Sequence, residues 1–247
     1  MIPLKSQKDL EMLGRSGKIL AAIMRQVEES IRPGITTLDI DCLSQELILR
    51  NNALAAFKGY KGYPATACVS INEEVVHGIP GARVILEGDI VSIDLGVNYQ
   101  GYFSDMAVTV AVGEVDQKKK GLIEATKKSL DLGIKQARVG NNLVDISHSI
   151  QSFVEARGFS VVRQFVGHGI GAALHEDPEI PNFEKPGPSP VLRSGMVLAI
   201  EPMVNMGSWE CLMLDNGWTA VTKDGTPSAH FEHTVAITDK GPVILTK

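Results

Sequence analysis

Cysteine is scarce and odd in number: Cys42, Cys68 and Cys211 among 247 residues, with no C-x-x-C pair. That argues against a disulfide scaffold and points to a reducing compartment, the cytoplasm. A surplus of charge is also missing, since 24 Lys and Arg against 29 Asp and Glu leave a net −5. Without a clustered basic face there is no basis for counterion release, so DNA is not an expected partner. Long apolar runs are absent too. The stretch 85–97 is broken by Glu87, Asp89 and Asp94 and the stretch 196–204 by Glu201, well short of the roughly 18 residues that would span a bilayer. The first fifteen residues carry Lys5, Lys8, Asp9 and Glu11 among isolated apolar positions, so no targeting segment is expected. With 24 glycines and 12 prolines the chain stays under the roughly 25% of low-complexity sequences. What remains, 44% apolar and 21% charged residues, describes a globular chain long enough to bury about three quarters of its unfolded surface. No linker composition divides it, so we expect one domain, 1–247.

Leu10, Leu13, Leu20, Met24, Val27 and Ile31 recur at helical spacing from Ser6 until Pro33 and Gly34 stop the pattern. Thr36 and Thr37, with Asp39 in the first turn, start a second helix ending near Arg50. Short β-rich segments follow at 67–71, 90–97 and 102–112, then helical spacing at 117–137 and 143–157. Strand patterns return at 161–166, 196–201, 230–238 and 243–245. The Lys118 to Lys120 run fits a solvated helix face. This order predicts an α+β fold with helices on one face of a curved antiparallel sheet. Its two halves share the order of elements rather than visible residue identity.

Asp94 and Asp105 lie on two strand segments joined by Asn98-Tyr99-Gln100-Gly101. Pairing Asn98 with Gly101 sets the two carboxylates directly opposite on one face, where like charges need a shared proton or a bound cation. His168 sits between glycines in Gly167-His168-Gly169-Ile170-Gly171, followed by His175 seven positions on, which is not the spacing of a helical zinc motif. Glu201 ends an apolar strand before Pro202, and Glu232 shares a strand face with His230 and Thr234. Taken singly each glutamate reads as a solvated edge acid. Taken together, four carboxylates and an imidazole suit two close divalent ions such as manganese, iron or cobalt better than a thiolate zinc site, and such ions can share a hydroxide for hydrolysis.

At these residues the sequence resembles the type I methionine aminopeptidases, whose pattern is Asp, Asp, His, Glu, Glu in this order. The resemblance also covers Gly59-Tyr60-Lys61-Gly62-Tyr63-Pro64, Ser70-Ile71-Asn72-Glu73, His77-Gly78-Ile79-Pro80, Ile200-Glu201-Pro202-Met203 and Phe231-Glu232-His233-Thr234. It implies the pita-bread fold of two pseudo-symmetric halves. It also implies removal of the initiator methionine from nascent polypeptide N-termini when the second residue is small, near the ribosome exit tunnel. The metal ligands it implies are Asp94, Asp105, His168, Glu201 and Glu232, holding two divalent ions among manganese, iron, cobalt or zinc. Glu201 would be the base, His175 would polarise the scissile carbonyl and His77 would meet the scissile nitrogen. The methionine pocket would be Tyr60, Tyr63, Cys68, Leu174 and Trp218 with His77 and His175. A monovalent cation near Asn72 and Ser228 belongs to the same pattern. Leu174, where the family often has an aromatic, and Phe57, where some members have cysteine, depart from it at the pocket rim.

Three other readings stay open on the residues: a proline-directed peptidase on the same scaffold, an inert binding module, and a two-metal phosphoesterase. The last would want Lys or Arg by the site, and none flanks the ligands in sequence.

Overall fold

The computed structural model describes residues 2–247. Four helices form: α1 (Gln7–Ser30), α2 (Thr37–Arg50), α3 (Gln117–Gln136) and α4 (Leu143–Glu155). Their starts follow from capping chemistry. Ser6 with Asp9 and Thr36 with Asp39 close reciprocal capping boxes. Thr37, the other expected cap, lies inside the helix, and its hydroxyl donates to the Gly81 carbonyl at 3.0 Å.

Every strand pairing is antiparallel. One sheet centres on Ile90–Tyr99, which pairs with Tyr102–Ala111 on one side and with Ala67–Ile71 and Leu54–Ala55 on the other. A second runs Gly241–Ile244, His233–Thr238, Val197–Ile200, Gly167–Gly169, Glu176–Ile180. Two three-stranded sheets flank these, one of Ser228–His230, Met203–Asn205 and Ser160–Val161, the other of Cys211–Met213, Ala220–Thr222 and Glu74–Val76.

The period of two along these strands sorts the residues by face. Val69, Ile71, Val91, Ile93, Leu95, Met106 and Val108 join Leu20, Met24, Ile40 and Ile134 of the helices in the main core. Cys68, Asp94, Gly96, Asp105 and Ala107 occupy the other face, in register with one another. The chemistry-bearing side chains thus line the face turned away from the helical layer.

Two expected strands are interrupted. The segments 196–201 and 230–238 lose ladder pairing at Glu201-Pro202 and at Phe231-Glu232. The register is nevertheless the same on both sides of the gap, Ile200 opposite His233 and Met203 opposite His230, so Glu201 falls opposite Glu232. Pro202 has no N–H for the ladder, and the Glu232 N–H turns instead to the Ala107 carbonyl of the other sheet at 2.9 Å. Strand 161–166 shrinks to Ser160–Val161.

The two halves do share residues once they are folded. An isolated bridge joins Thr36, the cap of α2, to Val84, and another joins Asn142, the cap of α4, to Val191. From these valines Val84, Gly88, Asp94 and Val191, Gly195, Glu201 follow at identical spacings, with φ +87 at Gly88 and +91 at Gly195.

Helix α1 lies tightly on the C-terminal segment, because a Cβ at Gly17 would stand 2.4 Å from the Leu245 carbonyl oxygen. Gly17→Ala should therefore destabilise the protein by about 1–3 kcal/mol through backbone overpacking, read as a lower urea midpoint at unchanged slope.

Candidate active site

The tight turn between Ile90–Tyr99 and Tyr102–Ala111 is Gln100-Gly101, both at positive φ (55 and 88), the geometry of a type I′ hairpin. Tyr99 therefore pairs with Tyr102, and Asp105 faces Gly96 rather than Asp94. The sequence-based register is two positions off: the carboxylates are diagonal neighbours on one face. The directly opposed pair is Glu201 and Glu232. Neither is a solvated edge acid, for Glu232 is 2% exposed and the Glu201 side chain 13%.

Gly167 and Gly169 let three strands close around His168, since a Cβ would fall 2.4 Å from the Ala199 carbonyl oxygen at the first and 2.1 Å from that of Asp177 at the second. The His168 Nδ1 lies 2.9 Å from the Gly169 carbonyl. A carbonyl can only accept, so Nδ1 carries the proton, and the neutral ring can offer Nε2 to a metal. That Nε2 is 3.6 Å from Glu201 Oε1 and 3.9 Å from Asp105 Oδ2. One donor atom each of Asp105, His168 and Glu232 lies within 4.8 Å of the others.

Divalent metal fits this cluster. Asp94 Oδ1 and Glu232 Oε1 are buried with no hydrogen-bond partner among the described residues, an expensive state for acid oxygens unless something cationic satisfies them. Burial first, then mutual repulsion, pushes the Asp105 and Glu232 carboxyls well above the carboxylate range. Burial likewise lifts Asp94 and Glu201 to about 7. Hard oxygen donors with one imidazole match a hard or borderline divalent cation.

The same cavity, of about 260 Å³, is lined by Tyr60, Tyr63, Cys68, His77, Leu174, His175 and Trp218 as well as by the five donors. All twelve residues expected to act in catalysis, substrate binding or metal binding meet there, whereas Asn72 and Ser228 do not line it. The volume is below the range of drug-sized pockets and suits one amino-acid residue. The Tyr63 hydroxyl donates to the Ala67 and Gly78 carbonyls at 3.0 and 2.9 Å, fixing a ring that meets Trp218 edge-on at 5.1 Å. Burial and the neighbouring Asp94 push the Cys68 thiol up, so it is a polarisable protonated wall and not a thiolate ligand.

The two remaining histidines are neutral. His77 meets Phe165 and Trp218 edge-on, and desolvation, with a smaller contribution from His230, takes its pKa to about 4. Its backbone is held at φ 59, a strained conformation of the kind that gathers at functional sites. His175 stacks on Tyr60 with ring centroids 5.2 Å apart, and its Nδ1 lies 3.0 Å from the Tyr60 hydroxyl. Desolvation, then the nearby His168, Lys61 and His77, lower its pKa to about 3.

Phe57, expected at the pocket rim, lines the cavity. Sequence reasoning passed over two residues. Lys61 lines the cavity as well, a cation brought to its wall by the loop rather than by sequence adjacency. His230, 2% exposed, points Nε2 at Glu201 Oε2 across 3.5 Å. Its position on the Glu232 strand was the available signal.

Residues 11–239 match the profile of metallopeptidase family M24. The chain is 52% identical over 246 residues to the methionine aminopeptidase of Clostridium perfringens, covering all of this chain and 99% of that one. The crystal structure of methionine aminopeptidase from Thermotoga maritima superposes with a TM-score of 0.98 at 50% identity, with full coverage of both chains. Prolidase from Pyrococcus furiosus shares the fold alone, with a TM-score of 0.81 at 23% identity over 99% of this chain and 65% of that one. The pita-bread scaffold is thus common to enzymes of different specificity, and full-length identity separates them: the chain belongs to metallopeptidase family M24, among the methionine aminopeptidases.

Proposed function

We propose that the protein removes the N-terminal initiator methionine from nascent chains whose second residue is small, by metal-dependent hydrolysis in one catalytic domain, 1–247. The observation that carries this reading is the joining of two environments in one cavity of about 260 Å³: a buried acid-and-imidazole cluster, and a wall of Tyr63, Cys68, Leu174 and Trp218 suited to a thioether. Asp94, Asp105, His168, Glu201 and Glu232 would hold two divalent ions, manganese, iron, cobalt or zinc. Such ions lower the pKa of water and polarise a carbonyl.

The chain's own groups do the rest. Glu201 accepts the proton of the attacking water on a carboxylate oxygen and returns it to the leaving amine. His175, neutral at working pH, has Nδ1 engaged by the Tyr60 hydroxyl. It offers Nε2–H to the carbonyl oxygen as charge develops there. His77, also neutral, hydrogen-bonds at the scissile nitrogen. Tyr60 orients His175, and Tyr63, Cys68, Leu174 and Trp218 receive the methionine side chain.

Location and partners follow from the same reading. No helix among the described residues is long and apolar enough to cross a membrane. We place the enzyme in the cytoplasm as a monomer acting near the ribosome exit tunnel. A monovalent cation would sit near Asn72 and Ser228, whose backbones are joined by a 2.8 Å hydrogen bond from the Ser228 N–H.

The reading is tested by stripping metal, restoring manganese or cobalt stepwise and following the free amino acid from Met-Ala-Ser, Leu-Ala-Ser and Ala-Pro-Ser. Metal-dependent release from Met-Ala-Ser alone is expected. Release from Ala-Pro-Ser would move the activity to a proline-directed peptidase, and silence with metal bound would favour an inert binding module.

A further inference from the structure

Outside the cavity, a buried ion pair ties the N-terminal segment to the loop that carries His175. Lys5 Nζ lies 2.5 Å from Glu176 Oε2, with the two side chains 9% and 11% exposed. The other oxygen of Glu176 accepts from the backbone N–H groups of Ala172 at 2.8 Å and Ala173 at 3.2 Å. One carboxylate therefore closes the loop on itself and holds the ammonium. Lys5 is in turn fixed to the sheet. Its backbone N–H donates to the Gly195 carbonyl at 2.7 Å, and the Gly195 N–H donates to that of Ile237 at 2.9 Å. Gly195 leads into Val197–Ile200 and so to Glu201. The last glycine of the Gly167 to Gly171 motif bears on this contact: a Cβ on Gly171 would stand 2.4 Å from both Cε and Nζ of Lys5, so a larger residue there would push the ammonium from its place.

A buried ion pair is a weak device for stability, because well-packed apolar residues do as well or better, whereas it fixes geometry strongly. What this one fixes is the stretch 171–176, which brings Leu174 and His175 into the cavity. We propose that Lys5 is a positioning residue for the hydrolysis: through Glu176 it holds the His175 loop so that the imidazole meets the scissile carbonyl. This rests on the role given to His175 above.

The metal-loaded full-length enzyme is compared as wild type, Lys5→Met, Lys5→Arg, Glu176→Gln, His175→Ala and the Lys5→Met/His175→Ala double variant, with kcat and KM on Met-Ala-Ser. Lys5→Met is expected to lower kcat by about 10- to 100-fold, the scale of a small misplacement of a catalytic group, with KM within about twofold of wild type. Lys5→Arg keeps the charge and should recover most of kcat. Glu176→Gln, which retains an acceptor for the loop amides, should reproduce the loss by a separate route should Lys5→Met fold poorly. Amide exchange at Ala172 and Ala173 should quicken in Lys5→Met, a readout independent of turnover. In the His175→Ala background the added effect of Lys5→Met should shrink below about twofold, because the two act as one unit. An equal fold-loss in both backgrounds overturns the proposal, as does unchanged kcat in both Lys5→Met and Glu176→Gln. Full activity of His175→Ala would instead remove the role of His175, and that of Lys5 with it.

Discussion

Replacing His175 with Ala lowers kcat on Met-Ala-Ser by about 10²- to 10⁴-fold, the range for a lost donor at a developing oxyanion or a lost acid–base group, and leaves metal content near that of wild type. The dissociation of the two effects follows from geometry. His175 is held by Tyr60, through a 3.0 Å contact at Nδ1 and ring stacking. Its ring lies 4.1 Å, centroid to centroid, from that of His168, so truncation leaves a gap beside a ligand without removing one. Turnover assays beside metal analysis of the same preparation check the result. Loss of metal from the variant would make His175 a ligand and refute the assigned role.

Glu232→Gln should have effects of opposite sign on activity and on stability. Activity falls by about three orders of magnitude or more, since the proposed charged ligand becomes a neutral amide. In the metal-free protein the same change stabilises. The sign follows from linkage. Burial raises the folded-state pKa values of the acid cluster, to about 7 for Asp94 and Glu201 and well above the carboxylate range for Glu232. Between the unfolded value near 4.5 and these raised ones the folded state keeps protons that the unfolded chain has released, so stability falls as pH rises through that window. At pH 8 the metal-free folded chain must either keep Glu232 protonated against the pH or ionise it beside Asp105 and Glu201, and glutamine removes that cost. Thermal unfolding should show the metal-free wild type losing Tm from pH 5 to pH 8. Added manganese should restore it by an amount that grows with pH. Metal-free Glu232→Gln should melt above metal-free wild type at pH 8 and respond little to manganese. This exchange of stability for function is common at active sites.

The sequence made some of this plain and hid the rest for identifiable reasons. The helices were legible because apolar spacing and the Ser6 and Thr36 caps agree, and the strand at 67–71 emerged as Ala67–Ile71. The hairpin register was misread because it depends on Gln100 taking a left-handed backbone, which glycine or asparagine would have signalled and glutamine does not. The break at Phe231-Glu232 was invisible because both residues suit a strand. Only the first sheet, whose Ala107 carbonyl takes the Glu232 N–H, pulls the chain off its ladder. The five donors stood out as polar residues in apolar strands or between glycines. Lys61, His230 and the Lys5 with Glu176 pair did not, since their partners are remote in sequence and only the folded chain brings them together.

The matched bridges at Val84 and Val191, with Asp94 and Glu201 at the same distance beyond them, have an ancestral consequence. A half-length chain pairing with its own copy about a twofold axis would have brought its acids together across the seam, because an isologous contact presents every residue twice. Duplication and fusion would then have freed each copy to diverge. The imidazole of His168 lies in the second half alone, and the left-handed His77 in the first. A pocket that began with two equivalent ends could in this way come to bind a peptide, which has a direction, in only one of them.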